Sequence, residues 1–143
     1  MTHDLSNSRL FFAYHMRSAF LMCDLALREL LNEKDLKPEH FYVLQSDWLS
    51  EATTLENLQA HAILSEAETV QSLNDLIARG YVAKAAEAGS YALSPEGRAA
   101  RVKILEEYYA QIAKATEGIS EKTIETALAS LLSVQNNLEM PLP

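Results

Sequence analysis

The chain is poor in the residues that staple, punctuate or export a fold. Its single cysteine, Cys23, among 143 residues excludes an internal disulfide framework and a cysteine-based zinc cluster, so a reducing cytoplasm is the expected compartment. Four glycines and four prolines exclude a fibrous or linker-like composition. Residues 1–7 carry Asp4 and no Lys or Arg, so the basic start of a secretory signal is missing and no export is expected. Basic residues are few: 12 Lys and Arg stand against 20 Asp and Glu, a net charge of -8 that opposes nucleic acid and anionic membranes on bulk charge. A His-Glu-x-x-His motif and a phosphate-cradling glycine loop are missing, and the histidines at 3, 15, 40 and 61 have no ligand spacing. Glu106 and Glu107 are adjacent on a helical pattern and diverge by about 100°, which is no acid/base dyad. Cys23 sits in an apolar run and reads as a small buried hydrophobe. Neither an enzyme, nor a metal, nor a cofactor is expected.

What is present is globular. Hydrophobic residues make up 48% and charged residues 22% of the chain, enough to bury a core, and the length suits one domain. Residues 8–32 contain no Gly or Pro, and Leu10, Tyr14, Arg17, Leu21, Leu25 and Arg28 recur at helical spacing. This predicts one long helix. Phe11, Phe12, Met16, Phe20, Met22, Leu27 and Leu31 fall on its other faces, so one side cannot satisfy it, and contact on two sides is expected, either with its own domain or with a second copy. Arg17, Asp24, Arg28 and Glu29 interrupt the apolar run, which argues against a membrane span. Pro38 is placed to open a second helix running to about Glu51, with Phe41, Leu44, Trp48 and Leu49 inside. Thr53-Thr54-Leu55-Glu56 and Ser65-Glu66-Ala67-Glu68 both match capping boxes, and Arg79-Gly80 closes the helix that the second box opens. Tyr81-Val82-Ala83 and Tyr91-Ala92-Leu93 flank a loop and read as a hairpin. Ser94-Pro95-Glu96 starts a long helix reaching Gly118, Ser120 caps a last one, and Pro141 ends it.

The predicted fold is mainly α with a small β-hairpin: a winged helix-turn-helix flanked by long dimerisation helices. The segments Leu73-Asn74-Asp75-Leu76-Ile77-Ala78-Arg79-Gly80-Tyr81-Val82 and Tyr91-Ala92-Leu93-Ser94-Pro95-Glu96-Gly97 resemble the helix end, strand and glycine signature of the MarR family of bacterial transcriptional regulators. The resemblance covers nearly the whole chain. It implies one domain over residues 1–143, with a winged helix at about 37–95 and dimerisation helices at about 8–34 and 96–138. It also implies a homodimer that binds a roughly palindromic operator and is released by a small aromatic ligand. The family's usual wing carries Asp-x-Arg, whereas residues 83–90 here hold no arginine, leaving Lys84 as the wing contact.

If Val70, Leu73 and Ile77 face inward, the helical step sets Glu68, Gln71 and Asp75 on the DNA side. Gln71 and Ser72 are then the base-reading candidates, and Glu68 would have to accept from cytosine amino groups. Arg98 and Arg101 are candidates for phosphate contacts, with a plain solvated face as the alternative. Tyr14, His15, Tyr42 and Trp48 are candidates for lining an effector crevice, with ordinary core aromatics as the alternative. Residues 50–80 hold five carboxylates against Arg79 alone. That imbalance raises a second reading, a degenerate winged helix that binds a protein partner through an acidic face and leaves DNA alone.

Overall fold

The computed structural model describes residues 7–138. His3, Asp4 and Pro141, on which parts of the sequence reading rest, lie outside them. Two compact units are formed, Met1–Pro38 and Glu39–Pro143.

The first unit is one helix, α1 (Ser8–Asn32), with the limits expected from its unbroken periodicity. Asn7 caps it by accepting from the Arg9 amide at 3.1 Å, and Asp35 at φ 54° turns the chain away after it. Leu27, Leu30 and Leu31 are buried, while Leu10, Phe11, Phe12, Tyr14, Phe20 and Met22 remain exposed. By length and composition alone α1 is long and apolar enough to cross a bilayer. Arg17 and Asp24 lie in its middle stretch, where each charge would cost about 2.5–3.5 kcal/mol in hydrocarbon.

Helix α2 (Pro38–Leu44), all but its first residue in the second unit, is shorter than expected. The helix does not run on to Glu51. It stops at Leu44, Ser46 turns extended, and a single 3-10 turn follows at Asp47–Ser50. That break buries Leu49 and leaves Trp48 50% exposed, so Trp48 is not the core residue that continuous periodicity predicts. Ala52 at positive φ then leads into β1 (Thr53–Thr54), a strand that the sequence reading lacked. The expected cap is also shifted by one residue. Thr54, not Thr53, caps α3 (Leu55–Ala62), accepting from the Asn57 amide. Thr53 is buried in the sheet, and its hydroxyl has no partner among the described residues.

Helix α4 (Glu66–Ala78) opens as predicted. Ser65 and Glu68 form a reciprocal capping box, which satisfies two otherwise orphaned backbone donors. Gly80 at φ 76° ends it in the left-handed conformation that glycine adopts without a side-chain clash. The wing is β2 (Val82–Lys84) and β3 (Ser90–Leu93), paired antiparallel with Val82 opposite Leu93 and Lys84 opposite Tyr91. Strand β1 adds to the other edge of β3, with Thr53 opposite Tyr91, giving a three-stranded sheet in the order β1-β3-β2. Two long helices follow, α5 (Pro95–Ala115) and α6 (Glu121–Leu138). The Ser120 hydroxyl accepts from the Thr123 amide at 3.2 Å at the start of α6.

The start of α5 is locked onto the end of α4. The Ser94 hydroxyl accepts from the Gly97 amide at 3.0 Å and donates to the Gly80 carbonyl, while the Ser94 amide donates to the Tyr81 carbonyl at 3.0 Å. Gly97 passes so close that a Cβ there would lie 1.9 Å from the Tyr81 carbonyl oxygen. Backbone atoms cannot swing aside as a flexible side chain can, so Gly97→Ala should cost about 3 kcal/mol by overpacking. The melting temperature should then fall by roughly 10 °C. Thermal unfolding followed by circular dichroism tests this, and an unchanged midpoint would mean that the α4–β2 junction yields freely.

Candidate nucleic-acid interface

Helices α3 and α4, joined by the left-handed Ile63, form the helix-turn-helix. In that arrangement the second helix is the one that enters a groove. Four residues of α4 are buried: Thr69, Ser72, Leu73 and Leu76. Val70, expected inside, is 38% exposed, and Ile77 is only half-buried. The helix is therefore rotated by roughly 80° about its axis from the expected orientation. Small hydroxyl residues make this possible. The Thr69 hydroxyl donates to the Ser65 carbonyl at 2.8 Å, so it enters the core with its polar group satisfied by its own helix.

The rotation changes which side chains face outward. Ser72 is 3% exposed and stands inside, so the expectation that it reads a base does not hold. Ala67, Val70, Gln71 and Asn74 are exposed and form the outward face. Val70 and Asn74 were missed by sequence reasoning because the core stripe was assigned to 70, 73 and 77. The available signal was the alternative stripe 69, 72, 73 and 76, disguised by its Thr and Ser.

Both carboxylates of α4 that the sequence set against DNA are held by the protein's own donors. Glu68 accepts from the Ser65 amide at 2.9 Å and from the Ser65 hydroxyl at 3.0 Å. Asp75 lies between two partners. Its Oδ2 is 2.9 Å from Nε2 of His40, a residue of α2 only 4% exposed, and its Oδ1 accepts from Nε2 of Gln71 at 3.0 Å. Val70, Gln71 and Asn74 give the outward face amides and an aliphatic group, but Glu66 and Glu68 of the first turn are exposed beside it, as are Glu51 and Glu56, so the acidic surface behind the protein-binding reading is still present.

The arginines of α5 serve the loop before β1. Arg98 donates to the Ser50 carbonyl at 2.6 Å, and Arg101 donates to the Ser46 carbonyl at 3.2 Å and to the Ser50 hydroxyl at 2.8 Å. These bonds take up carbonyl groups where α2 breaks and where the 3-10 turn ends. Lys84, at the end of β2, is exposed. The wing tip closes through the Ala85 amide donating to the Ser90 carbonyl at 2.8 Å.

The aromatic candidates are distributed over both units. Tyr14 and His15 are exposed on α1, with their rings edge to face at 5.2 Å and Phe11 stacked on His15 at 5.8 Å. In the second unit Tyr42 is half-buried beside Phe41 at 6.2 Å, and Trp48 lies against His61 at 5.7 Å. Among the described residues no group of three or more His, Cys, Asp or Glu is arranged to hold a metal ion.

No family model and no curated protein matches the sequence. Solved structures do. A MarR family transcriptional regulator from Silicibacter pomeroyi superposes with a TM-score of 0.81 at 19% identity, over 92% of this chain and 92% of that one. A MarR family regulator from Rhodococcus sp. RHA1 gives 0.75 at 20% identity, over 93% and 96%. BpsR of Bordetella bronchiseptica, whose DNA binding is regulated by 6-hydroxynicotinic acid, gives 0.71 at 18% identity, over 87% and 98%. At these identities the likeness shows a common fold, the winged helix of MarR-type regulators.

The geometry around His40 makes a stability prediction. Asp75→Ala leaves a ring nitrogen of a buried histidine without this partner, at an expected cost of about 1–3 kcal/mol. Adding His40→Leu removes the orphaned group, so the double variant should lose at least about 0.5 kcal/mol less than the sum of the two single losses. Urea unfolding of the four proteins in the cycle measures this coupling, and strict additivity would show that the pair contributes nothing.

Proposed function

We propose that the chain is a DNA-binding transcriptional regulator that acts as a homodimer, with α4 entering the major groove. The observation that carries this reading is the outward face of α4. The carboxylates beside it are tied by hydrogen bonds, Glu68 to Ser65 and Asp75 to His40 and Gln71, and the exposed Val70, Gln71 and Asn74 have the chemistry of direct readout. Amides pair with adenine and an aliphatic group meets the thymine methyl. Lys84 on the wing supplies a phosphate contact. Arg98 retains N–H groups beyond its bond to Ser50 for a second such contact, while Arg101 acts by holding the loop that supports α3.

Dimerisation is supported by surface chemistry. None of the side chains of α6 is buried, and Ile124, Leu128, Leu131, Leu132 and Leu138 are all exposed, as are Leu10, Phe11, Phe12 and Phe20 of α1. Apolar area of this extent marks an interaction surface, and a second copy offers a matching one. Obligate interfaces of this kind bury about 2,000 Å² or more. Release by a small aromatic effector is the regulatory part of the proposal, in a cytoplasmic protein.

Titration of genomic DNA fragments should show binding at low salt. Affinity should fall with a shallow logarithmic salt slope, about 0.9 for each phosphate contact, because few basic side chains serve the interface. Absence of binding to every fragment at low salt would overturn the reading. Light scattering at low micromolar concentration should give twice the chain's 15.9 kDa; a species of single mass would remove the dimer.

A further inference from the structure

We infer that Asp75 and His40 are positioning residues for sequence readout: together they fix which way the Gln71 amide presents its donor and acceptor to a base. This rests on the DNA-binding reading above and adds the mechanism by which one position of the site is specified.

A glutamine side chain on a helix surface can rotate its amide by a half turn, exchanging oxygen for nitrogen, and each orientation shows a base edge the opposite pattern. A carboxylate has only acceptors to offer, whereas an amide nitrogen has only donors. With Asp75 Oδ1 at 3.0 Å, Gln71 must turn its nitrogen toward Asp75. One N–H is then engaged, leaving the other N–H and the carbonyl oxygen as an ordered pair. That is the pair adenine requires, a donor for N7 and an acceptor for the N6 amino group.

Asp75 would itself be free to rotate were its other oxygen in water. It is not: Oδ2 meets Nε2 of His40 at 2.9 Å, and the imidazole is 4% exposed on α2. For an acceptor-only partner His40 must carry its proton on Nε2, so the chain of donation runs from His40 to Asp75 and from Gln71 to Asp75. The buried ring thus anchors the carboxylate, and the carboxylate orients an exposed amide. Two bonds that span 35 and 4 residues in sequence convert a rotatable side chain into a polarised one.

The test is selection from randomised duplexes by the full chain, sequenced to give base preference at every position, for wild type, Gln71→Ala, Asp75→Asn and His40→Gln. Wild type should prefer adenine at one position of each half-site, and Gln71→Ala should flatten that position alone. In Asp75→Asn the new amide can accept from His40 and offer its own N–H groups to Gln71, which lets the Gln71 amide reverse. The adenine preference at that position should drop by about fivefold or more, with other positions and the salt slope unchanged. His40→Gln keeps an N–H for Asp75 and should retain the preference. A second readout uses the free wild-type protein: the Gln71 side-chain amide in nitrogen-15 NMR should show one proton shifted downfield and slowed in exchange, and a pair of ordinary solvent-exposed amide protons would overturn the relay even if Asp75→Asn failed to fold. If wild type binds DNA but Asp75→Asn keeps its adenine preference, or loses affinity at all positions alike, the relay falls while the regulator stands. If wild type selects no sequence, the DNA-binding reading fails first.

Discussion

The close approach of Gly97 to the Tyr81 carbonyl, with room for a hydrogen but not for a Cβ, is the constraint on which the winged helix depends. Tyr81 is the residue between the end of α4 and the first strand of the wing, and Gly97 lies in the first turn of α5. Bringing them together lets Ser94 cap α5 with one side of its hydroxyl and hold Gly80 with the other. Three elements meet in a few residues: the end of α4, the root of the wing and the start of α5. With its end held at Gly80, α4 has a set position relative to β2 and β3. Those strands in turn give β1 an edge to pair with, and β1 leads directly into α3. The helix-turn-helix is therefore fastened at both ends by the same small sheet.

That fastening bears on the electrostatics of α4. A helix whose rotation was free could carry Asp75 away from His40. Here the phase is set by burial of Thr69, Ser72, Leu73 and Leu76, and each carboxylate finds a donor inside the protein. Hydrogen bonds to a charged group contribute more than those between neutral ones. The acids thus serve the fold, one as the helix cap and one as the tie to α2, while Glu66 and Glu68 remain exposed on the first turn.

Much of the architecture was legible because capping chemistry is local. Ser65 with Glu68, Ser94 with Pro95, and Gly80 each marked a boundary within four residues of the atoms they satisfy. The end of α2 was not legible: nothing between Leu44 and Trp48 is a glycine or proline, and the break is held from a distance by Arg101 of α5 bonding the Ser46 carbonyl. Strand β1 is two residues long and exists because β3 offers it an edge, a relation that no periodicity reports. The phase of α4 was misread because its core stripe contains Thr and Ser, which burial alone would exclude and a helix-internal hydrogen bond permits. The tie from His40 to Asp75 joins residues 35 apart, so the reading that set Asp75 against DNA had no means of seeing its partner. Gln71 stays exposed, as that reading had it, and under the inference above the same tie gives its amide a direction.

Under the proposed function, the net charge of -8, with Glu66 and Glu68 exposed beside the reading residues, and the contacts in the groove act over different length scales. Charges beyond the Debye length, about 8–10 Å at physiological salt, contribute little to a bound complex, whereas groups in the groove contribute at contact distance. The acidic bulk therefore slows approach and suppresses nonspecific attachment, the component of affinity that counterion release supplies. A regulator built this way gains less from phosphate contacts and must take a larger share of its binding from the edges of bases. Under that condition the orientation of a single amide matters more than it would in a basic protein. Reversing Gln71 would replace two hydrogen bonds with two repulsions at a site that has little electrostatic affinity in reserve.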